Sequence, residues 1–305
     1  MSNILITGAL GAVGRPLWES LRARGHTVRG CDLRHSELPD YDRCDVAEYR
    51  QLLELFDEHS FDYVYHAAAE FGRNNGEGYY EALWRSNAIG TKNMLRLQEQ
   101  RGFRMIVFSS SEVYGDWPDV MAESVMDEHP IKQMNDYAIT KWVNEMQVLN
   151  SAARFGTETV RVRLFNTFGP GEYYTPFRSV ICQFIYRLLH DLPIKVYLGH
   201  HRSSTYIDDT VRTLTNISES FKPGEIYNIG SDEYHDIKTL SDIVLEYIGK
   251  DDDLVELLPF EDHNTKDKKV DNAKARRDLD FHTTVGLEEG IHRTIEWQRQ
   301  VYDVK

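Results

Sequence analysis

Short apolar runs alternate with amphipathic stretches along most of this chain. Asn3-Ile-Leu-Ile-Thr7 is followed by Arg15-Pro-Leu-Trp-Glu-Ser-Leu-Arg-Ala-Arg24, whose apolar positions recur at helical spacing, and then by Gly25-His-Thr-Val-Arg-Gly-Cys-Asp32, a second short strand. The same alternation predicts a helix near 47–59 after Asp45-Val46, a strand over Phe61–Ala69, a long amphipathic segment over roughly 77–101 and a strand at 104–111. A helix from Tyr137 to about Phe155 and a strand over Thr159–Phe165 follow. Strands alternating with helices build a parallel sheet covered on both faces, with functional groups at the carboxyl ends of the strands. The expected fold class is α/β, a Rossmann-type doubly wound parallel sheet with a smaller C-terminal α/β substrate lobe. Beyond Asn166 the pattern loosens through Gly169-Pro-Gly171, the pair Tyr173-Tyr174, a helix-like stretch at 179–191 and basic residues before Thr205-Tyr-Ile-Asp-Asp209. Residues 1–165 are therefore read as the sheet-forming domain, with a return segment at about 203–230, and 166–305 as the second lobe.

Composition narrows the class of partner. A chain of 305 residues can bury a large core as one enlarged α/β unit or two closely joined lobes. No apolar run approaches the roughly 20 residues needed to cross a bilayer, and the formal charge of −14 opposes binding to nucleic acid or anionic lipid. Neither membrane nor nucleic acid is expected as a partner. Cys31, Cys44 and Cys182 lack metal-like spacing and no secretory leader precedes Ile4, which points to the cytoplasm. A small molecule is the expected partner, and if it carries phosphates, the cations that hold it must be gathered locally.

The first apolar run leads into glycines at 8, 11 and 14, then a helix, a second strand and a terminal acid, Asp32. Glycines at this spacing permit a tight turn, close approach of backbone to a pyrophosphate and close packing of helix on strand, with the helix N-terminus facing the phosphates. Gly8, Gly11, Ala12, Val13 and Gly14 are the candidate cradle. A carboxylate at 32 can accept hydrogen bonds from an adenosine ribose and repels a phosphate placed there, so NAD is favoured over NADP. Arg34, two residues on, is the one group of opposite tendency. Residues 1–165 thus become an NAD-binding domain.

Tyr137-Ala-Ile-Thr-Lys141 carries the candidate chemistry. Residues four apart on a helix share a face, so the Lys141 ammonium can lie beside the Tyr137 phenol and favour its deprotonated form. Tyrosinate can take a hydroxyl proton while nicotinamide takes the hydride from the same carbon. Reversible oxidation of an alcohol is the reaction these parts suggest. His200 and His201 invite a metal reading, but no third ligand lies at metal-like spacing and no metal is expected. Tyr173 and Tyr174 could stack on a base or sugar, or pack against the lobe.

These motifs resemble those of the extended short-chain dehydrogenase/reductase superfamily, in its NAD-dependent nucleotide-sugar epimerase/dehydratase branch. The likeness runs through Thr7–Gly14, Asp32, His66-Ala-Ala-Ala69, Ser109-Ser-Ser-Glu-Val-Tyr-Gly115, Tyr137–Lys141, Arg163-Leu-Phe-Asn-Thr-Phe-Gly-Pro170, Arg202 before Tyr206-Ile-Asp-Asp209, and Tyr227-Asn-Ile-Gly230. The resemblance implies a nucleoside-diphosphate sugar as substrate and makes 166–305 the nucleotide-sugar-binding lobe. It implies that Tyr137 and Lys141 act with a hydroxyl residue on the preceding strand, that Asp45, with Val46, approaches the adenine, and that Ala67 lines the cofactor. It further implies that Asn166 and Arg202 approach the diphosphate, and that a homodimer forms through helices at about 77–101 and 137–155. The segment Thr265-Lys-Asp-Lys-Lys-Val-Asp271 departs from the family, with lysines where arginines are common.

Several outcomes share the first oxidation, expected at C4 of the sugar. Aligning Ser109–Gly115 with the related dehydratase pattern puts Ser110 at the hydroxyl position, Ser111 at the first acid and Glu112 at the second. Glu112 could remove a proton next to the new ketone, whereas Ser111 lacks the acid that expels water, so ordinary dehydration is weakened. The Ser-Ser-Glu order is similar to that of nucleotide-glucuronate decarboxylases, in which the 4-keto sugar is a β-keto acid that loses carbon dioxide. Arg178 in Pro176-Phe-Arg178 is the candidate cation for the carboxylate. Epimerisation needs only oxidation, rotation of the keto-sugar and return of the hydride. Epimerase and decarboxylase stand side by side. A dehydratase, a 4-dehydrogenase or ketoreductase, and a non-catalytic NAD(P)-binding sensor are the alternatives.

Overall fold

The computed structural model describes residues 1–261 and 264–304. In chain order the elements are β1 (Asn3–Thr7), α1 (Gly14–Ala23), β2 (Thr27–Asp32), β3 (Tyr41–Arg43), α2 (Tyr49–Glu58), β4 (Tyr63–His66), α3 (Arg73–Gly78), α4 (Tyr80–Trp84), α5 (Gly90–Arg101), β5 (Arg104–Ser110), α6 (Val125–Glu128), α7 (Asp136–Phe155) and β6 (Thr159–Leu164). The second half contributes β7 (Thr167–Phe168), α8 (Val180–Leu189), β8 (Ile194–Tyr197), β9 (His201–Ser203), β10 (Thr205–Tyr206), α9 (Ile207–Ile217), β11 (Ile226–Ile229), β12 (Tyr234–Asp236), α10 (Ile237–Ile248), β13 (Val255–Leu258), β14 (Asp267–Lys268), α11 (Ala273–Leu279) and α12 (Leu287–Tyr302). Among the described residues no helix is long and apolar enough to cross a membrane.

The main sheet has seven strands in the order β11-β6-β5-β4-β1-β2-β3, and each neighbouring pair runs parallel. Successive residues of a strand face opposite sides, and β1 shows the consequence. Ile4 and Ile6 enter one buried cluster with Leu17, Trp18 and Leu21, whereas Leu5 enters the other with Val64, Met94 and Met105. Helices thus cover both faces, which explains why the inner strands read as continuous apolar runs. Strand order reverses direction between β1 and β4, and a cleft opens there, beyond the carboxyl ends of the strands.

Two departures from the periodicity position the site. The segment 77–101 is not one helix: it breaks at Tyr79 (φ −135°) and widens to a π-turn over Arg85–Ile89 before α5. Asn87 lies in that turn, where its Oδ1 accepts from Glu70 N at 2.9 Å and its Nδ2 donates to Glu70 O and Thr140 Oγ1, both at 3.0 Å. A side chain that satisfies both backbone groups of a loop residue competes with regular helical winding for this stretch. The run Phe61–Ala69 likewise supplies strand only over Tyr63–His66, because Ala67–Ala69 leave the ladder to pass beside the glycine turn. Helix α7 starts where Asn135 Oδ1 accepts from Ala138 N at 2.9 Å and stops at Gly156 (φ +67°), so both ends carry caps suited to their geometry.

The chain after β6 crosses and recrosses the sheet edge. β11 pairs with β6 as the outermost strand, and α9 joins α1 through Ser20 Oγ–Thr215 Oγ1 at 3.0 Å and Arg24–Asn216 Oδ1 at 2.7 Å. The remaining pieces form small sheets over the cleft, β12-β9-β14 and β13-β8, backed by α8, α10 and α12.

Candidate active site

The first βα turn has no room for a side chain at Gly8 or Gly14. Gly8 has φ +70°, and a methyl group there would meet the backbone of Ala68 at 2.8 Å; one on Gly14 would run into the carbonyl oxygen of Gly8. Val13, at the head of α1, offers no side-chain cap; Arg15 N donates to Gly11 O at 3.1 Å and Pro16 has no N–H, so the N–H of Gly14 is the first-turn donor left for an anion. Asp32 ends β2 with Oδ2 accepting from Leu10 N at 3.1 Å and Oδ1 from Arg34 N at 3.2 Å, which fixes the carboxylate at the rim of the turn. The Arg34 guanidinium folds back onto the Leu10 carbonyl and lies 3.5 Å from Asp32. Asp45 Oδ1 accepts from Ala47 N at 2.8 Å and its Oδ2 pairs with Arg85 at 3.1 Å. A glycine turn that bars side chains, an uncapped helix head and a fixed carboxylate one strand away fit a dinucleotide without a ribose phosphate.

The end of β5 separates its three serines by their contacts. Ser109 Oγ donates to the buried Glu145 at 2.5 Å and is turned into the core. Ser110 Oγ accepts from Glu112 N at 3.2 Å and lies close enough to the Tyr137 phenol to favour its ionised form; Ser111 is buried in the one-turn helix Ser111–Tyr114. Lys141 Nζ donates to Phe108 O at 2.8 Å and lies 5.8 Å from the centroid of the Tyr137 ring. Burial pushes the Tyr137 phenol up to about 12, with Ser110 opposing and the charge of Glu112 adding, and burial brings the Lys141 ammonium down to about 8 against the pull of Glu145. Contrary to the expectation from the sequence, Lys141 turns its ammonium to the Phe108 carbonyl and desolvation governs the phenol, which is neutral until a positive charge is brought beside it.

Glu112 faces the opposite wall. Its Oε1 pairs with Lys268 of β14, and its Oε2 is buried with no hydrogen-bond partner among the described residues. Burial raises a carboxyl, but Lys268 and then Arg202 outweigh it and hold Glu112 below the usual carboxylate range. Arg202 is 7% exposed and donates to the carbonyls of His201 at 2.8 Å and Lys266 at 2.9 Å and to Asn264 Oδ1 at 3.2 Å. Asn166, at φ +38°, donates from Nδ2 to Ser203 O at 3.1 Å. Arg178 donates to Tyr173 O at 3.1 Å and stacks its guanidinium 4.0 Å from the centre of the Phe71 ring.

The candidate catalytic, cofactor and substrate residues line one continuous cleft of about 1110 Å³, from Gly8, Gly11, Ala12, Val13, Gly14, Asp32, Asp45, Val46 and Ala67 at one end to Ser110, Ser111, Glu112, Tyr137, Lys141, Asn166, Arg178 and Arg202 at the other, whereas Tyr173, Tyr174 and His201 lie outside its lining. Two cations of the cleft, Lys268 and Arg73, escaped sequence reasoning. Lys268 could have been picked out only as one of a run of lysines, and Arg73, which pairs with Glu261 at 2.7 Å across the cleft mouth, has no motif around it. His200 accepts at Nε2 from Glu261 N at 3.1 Å, and His201 pairs with Asp267 at 2.8 Å; the two rings are engaged separately. Tyr174 stacks on Tyr186 at 3.7 Å within the lobe, and Tyr173 packs edge-on against Trp297.

A family model described as the NAD dependent epimerase/dehydratase family matches residues 4–230. The chain belongs to this family. It is 29% identical to a UDP-N-acetyl-alpha-D-glucosaminuronate decarboxylase of Bacillus cytotoxicus, over 97% of this chain and 98% of that protein. It is 28% identical to a UDP-glucuronate 4-epimerase of Thermodesulfobacterium geofontis, over 98% and 97%. Among solved structures, the epimerase Mth375 of Methanothermobacter thermautotrophicus superposes with a TM-score of 0.90 at 27% identity, covering 99% of this chain and 93% of that one. The match bears out the doubly wound fold, the family resemblance and NAD as the family's cofactor.

Proposed function

We propose that this enzyme oxidises a nucleoside-diphosphate uronate at C4 with bound NAD and then decarboxylates the 4-keto sugar. The observation that carries this reading is the buried Glu112–Lys268 pair beside Ser110 and Tyr137. Epimerisation requires nothing beyond hydride transfer and rotation of the sugar, whereas burying an ion pair costs several kcal/mol per ion before their attraction repays it. Such a pair at the oxidised carbon is suited to a step that follows ketone formation. The relatives named above, a decarboxylase and a 4-epimerase, are both named for uronate substrates.

NAD bound in this cradle would supply the hydride acceptor and a positive charge that favours the tyrosinate burial otherwise disfavours. Tyr137 takes the proton of the C4 hydroxyl while Ser110 orients that hydroxyl, and Lys141 holds the cofactor ribose. Asp32 and the glycine turn bind the adenosine and pyrophosphate, with Asp45, Val46 and Ala67 along the same wall. Arg202 and Asn166 hold the substrate diphosphate, where guanidinium donors match phosphate oxygens, and Arg178 serves the sugar carboxylate. The test is a single turnover: mixing NAD-loaded enzyme with UDP-glucuronate should produce a transient NADH absorbance, and UDP-glucose should produce less. No transient with any nucleotide sugar would refute the oxidation itself.

A second reading, epimerisation at C4, is favoured by the kinship to the UDP-glucuronate 4-epimerase. The same reading of the chain includes a homodimer in the cytoplasm. Exposed Ile89, Met146, Leu149 and Phe155 on the π-turned helix and α7 supply its apolar contact, and a monomeric sedimentation coefficient at micromolar protein would remove it.

A further inference from the structure

The Glu112 carboxylate is anchored at one oxygen only. Its Oε1 meets Lys268, while Oε2 is buried without a hydrogen-bond partner among the described residues. A buried acceptor left unpaired is costly, most of all when it carries charge. A complementary orphan lies on the segment that leads into α7. Asn135 is 6% exposed, and its Oδ1 caps that helix by accepting from Ala138 N at 2.9 Å. Its Nδ2, a donor, is buried and has no partner among the described residues. The cap fixes the amide in this orientation, because turning it over would set Nδ2 against another donor.

The two segments run past each other in step. Asp116 N donates to Lys132 O at 3.2 Å, and Lys132 N donates to Asp116 Oδ1 at 2.9 Å. Gln133 Nε2 donates to Val113 O at 2.8 Å, and at the other end Ser110 lies close to the Tyr137 phenol. Between these contacts, residue 135 falls opposite residue 112. An acceptor without a donor and a donor without an acceptor thus occupy the same step. Asn135 is also near enough to help lower the Glu112 carboxyl, after Lys268 and Arg202.

We infer that Asn135 is a positioning residue whose Nδ2 donates to Oε2 of Glu112, holding the carboxylate between Lys268 and the head of the helix that carries Tyr137. The inference rests on the reading above, in which Glu112 serves a step that follows ketone formation. Asn135 does not line the cleft, so it acts through Glu112 and not on the sugar. A carboxylate held at both oxygens is fixed in its plane, where one held at a single oxygen can turn about its last bond. A hydrogen bond to the charged form also keeps the group ionised. The charged and titratable groups facing Glu112 are Lys268 from β14, Arg202 from β9 and the Tyr137 phenol from α7.

Two substitutions keep the cap and remove the donor, Asn135→Ser and Asn135→Asp, since serine and aspartate cap helices as well as asparagine does. Each NAD-loaded protein is given UDP-glucuronate and UDP-N-acetylglucosaminuronate across a range of pH. NADH absorbance and carbon dioxide release are followed, and each protein is melted thermally. Asn135→Ser should keep the wild-type melting temperature, NADH rise and KM, while kcat falls by about tenfold, the size of one hydrogen bond to a charged group. Losing that bond raises the Glu112 carboxyl, so the acid limb of NADH decay should move to higher pH. Asn135→Asp sets a like charge beside Glu112 and should move that limb further, by about one unit. Either variant decides the matter if the other does not fold. Wild-type kcat and an unmoved acid limb overturn the assignment and leave Asn135 a helix cap. NADH formation by wild type with no carbon dioxide released overturns the decarboxylase reading alone, and the acid limb of NADH decay then still decides for or against Asn135.

Discussion

Glu145→Gln tests the platform beneath the catalytic strand. Glu145 is fully buried and receives Arg163 at 2.9 and 3.0 Å, Arg161 at 3.4 Å and Ser109 Oγ at 2.5 Å. Arg163 continues to the Tyr114 hydroxyl at 2.8 Å, so one carboxylate ties α7, β5 and β6 to the turn that carries Glu112. Replacing it with the neutral amide leaves two buried guanidiniums without a counter-charge. Removing one partner of a buried pair costs about 3–5 kcal/mol. For a chain this long each kcal/mol moves the melting temperature by roughly 2 °C, so the expected loss is about 6–10 °C, read by thermal circular dichroism at neutral pH. The pH dependence has a definite sign. Burial raises the Glu145 carboxyl, but Arg163 outweighs it and the folded value lies below the ordinary 4.5 of a glutamate. The stabilisation is therefore complete above 4.5 and is lost as pH falls through the folded value, so the gap between wild type and variant should narrow on acidification. Adding Arg163→Met to Glu145→Gln should recover part of the loss, because a buried apolar pair avoids the unpaired charge. A gap under about 2 °C at neutral pH, or one that does not narrow in acid, would refute the reasoning.

Two further outcomes follow from the cleft. Tyr137→Phe should keep NAD binding, measured by calorimetry, while kcat falls by about 10²–10⁴-fold, the range for a lost general base; full turnover in a folded variant would remove Tyr137 from the chemistry. Asp32→Asn removes the charge that repels a ribose phosphate, and with Arg34 beside it the ratio of NADP to NAD affinity should rise by about tenfold, worth roughly 1.4 kcal/mol; an unchanged ratio would mean that Asp32 does not read the ribose.

The parts of the molecule legible in the sequence are those governed by local periodicity. The β1–α1–β2 unit, the doubly wound sheet and α7 follow from apolar spacing, glycines and caps within a few residues of one another. The break at Tyr79 and the π-turn were not legible, because they depend on Asn87 bonding to Glu70 and to Thr140 on another helix. The same limit separates Tyr137 from Lys268. The first announces itself through a lysine four residues on, while the second meets Glu112 from 156 positions along the chain, and only the folded lobe brings them together. Glu145 had no signal at all, since a lone acid in an amphipathic helix reads as a solvated face until Arg161 and Arg163 arrive from β6.

Mass spectrometry of the product formed from UDP-glucuronate and UDP-N-acetylglucosaminuronate by NAD-loaded enzyme tests the proposed reaction most directly. The expected product is lighter than its substrate by one carbon dioxide, with NAD regenerated at the end of each turnover. A product of unchanged mass and altered retention would contradict decarboxylation and make the enzyme an epimerase.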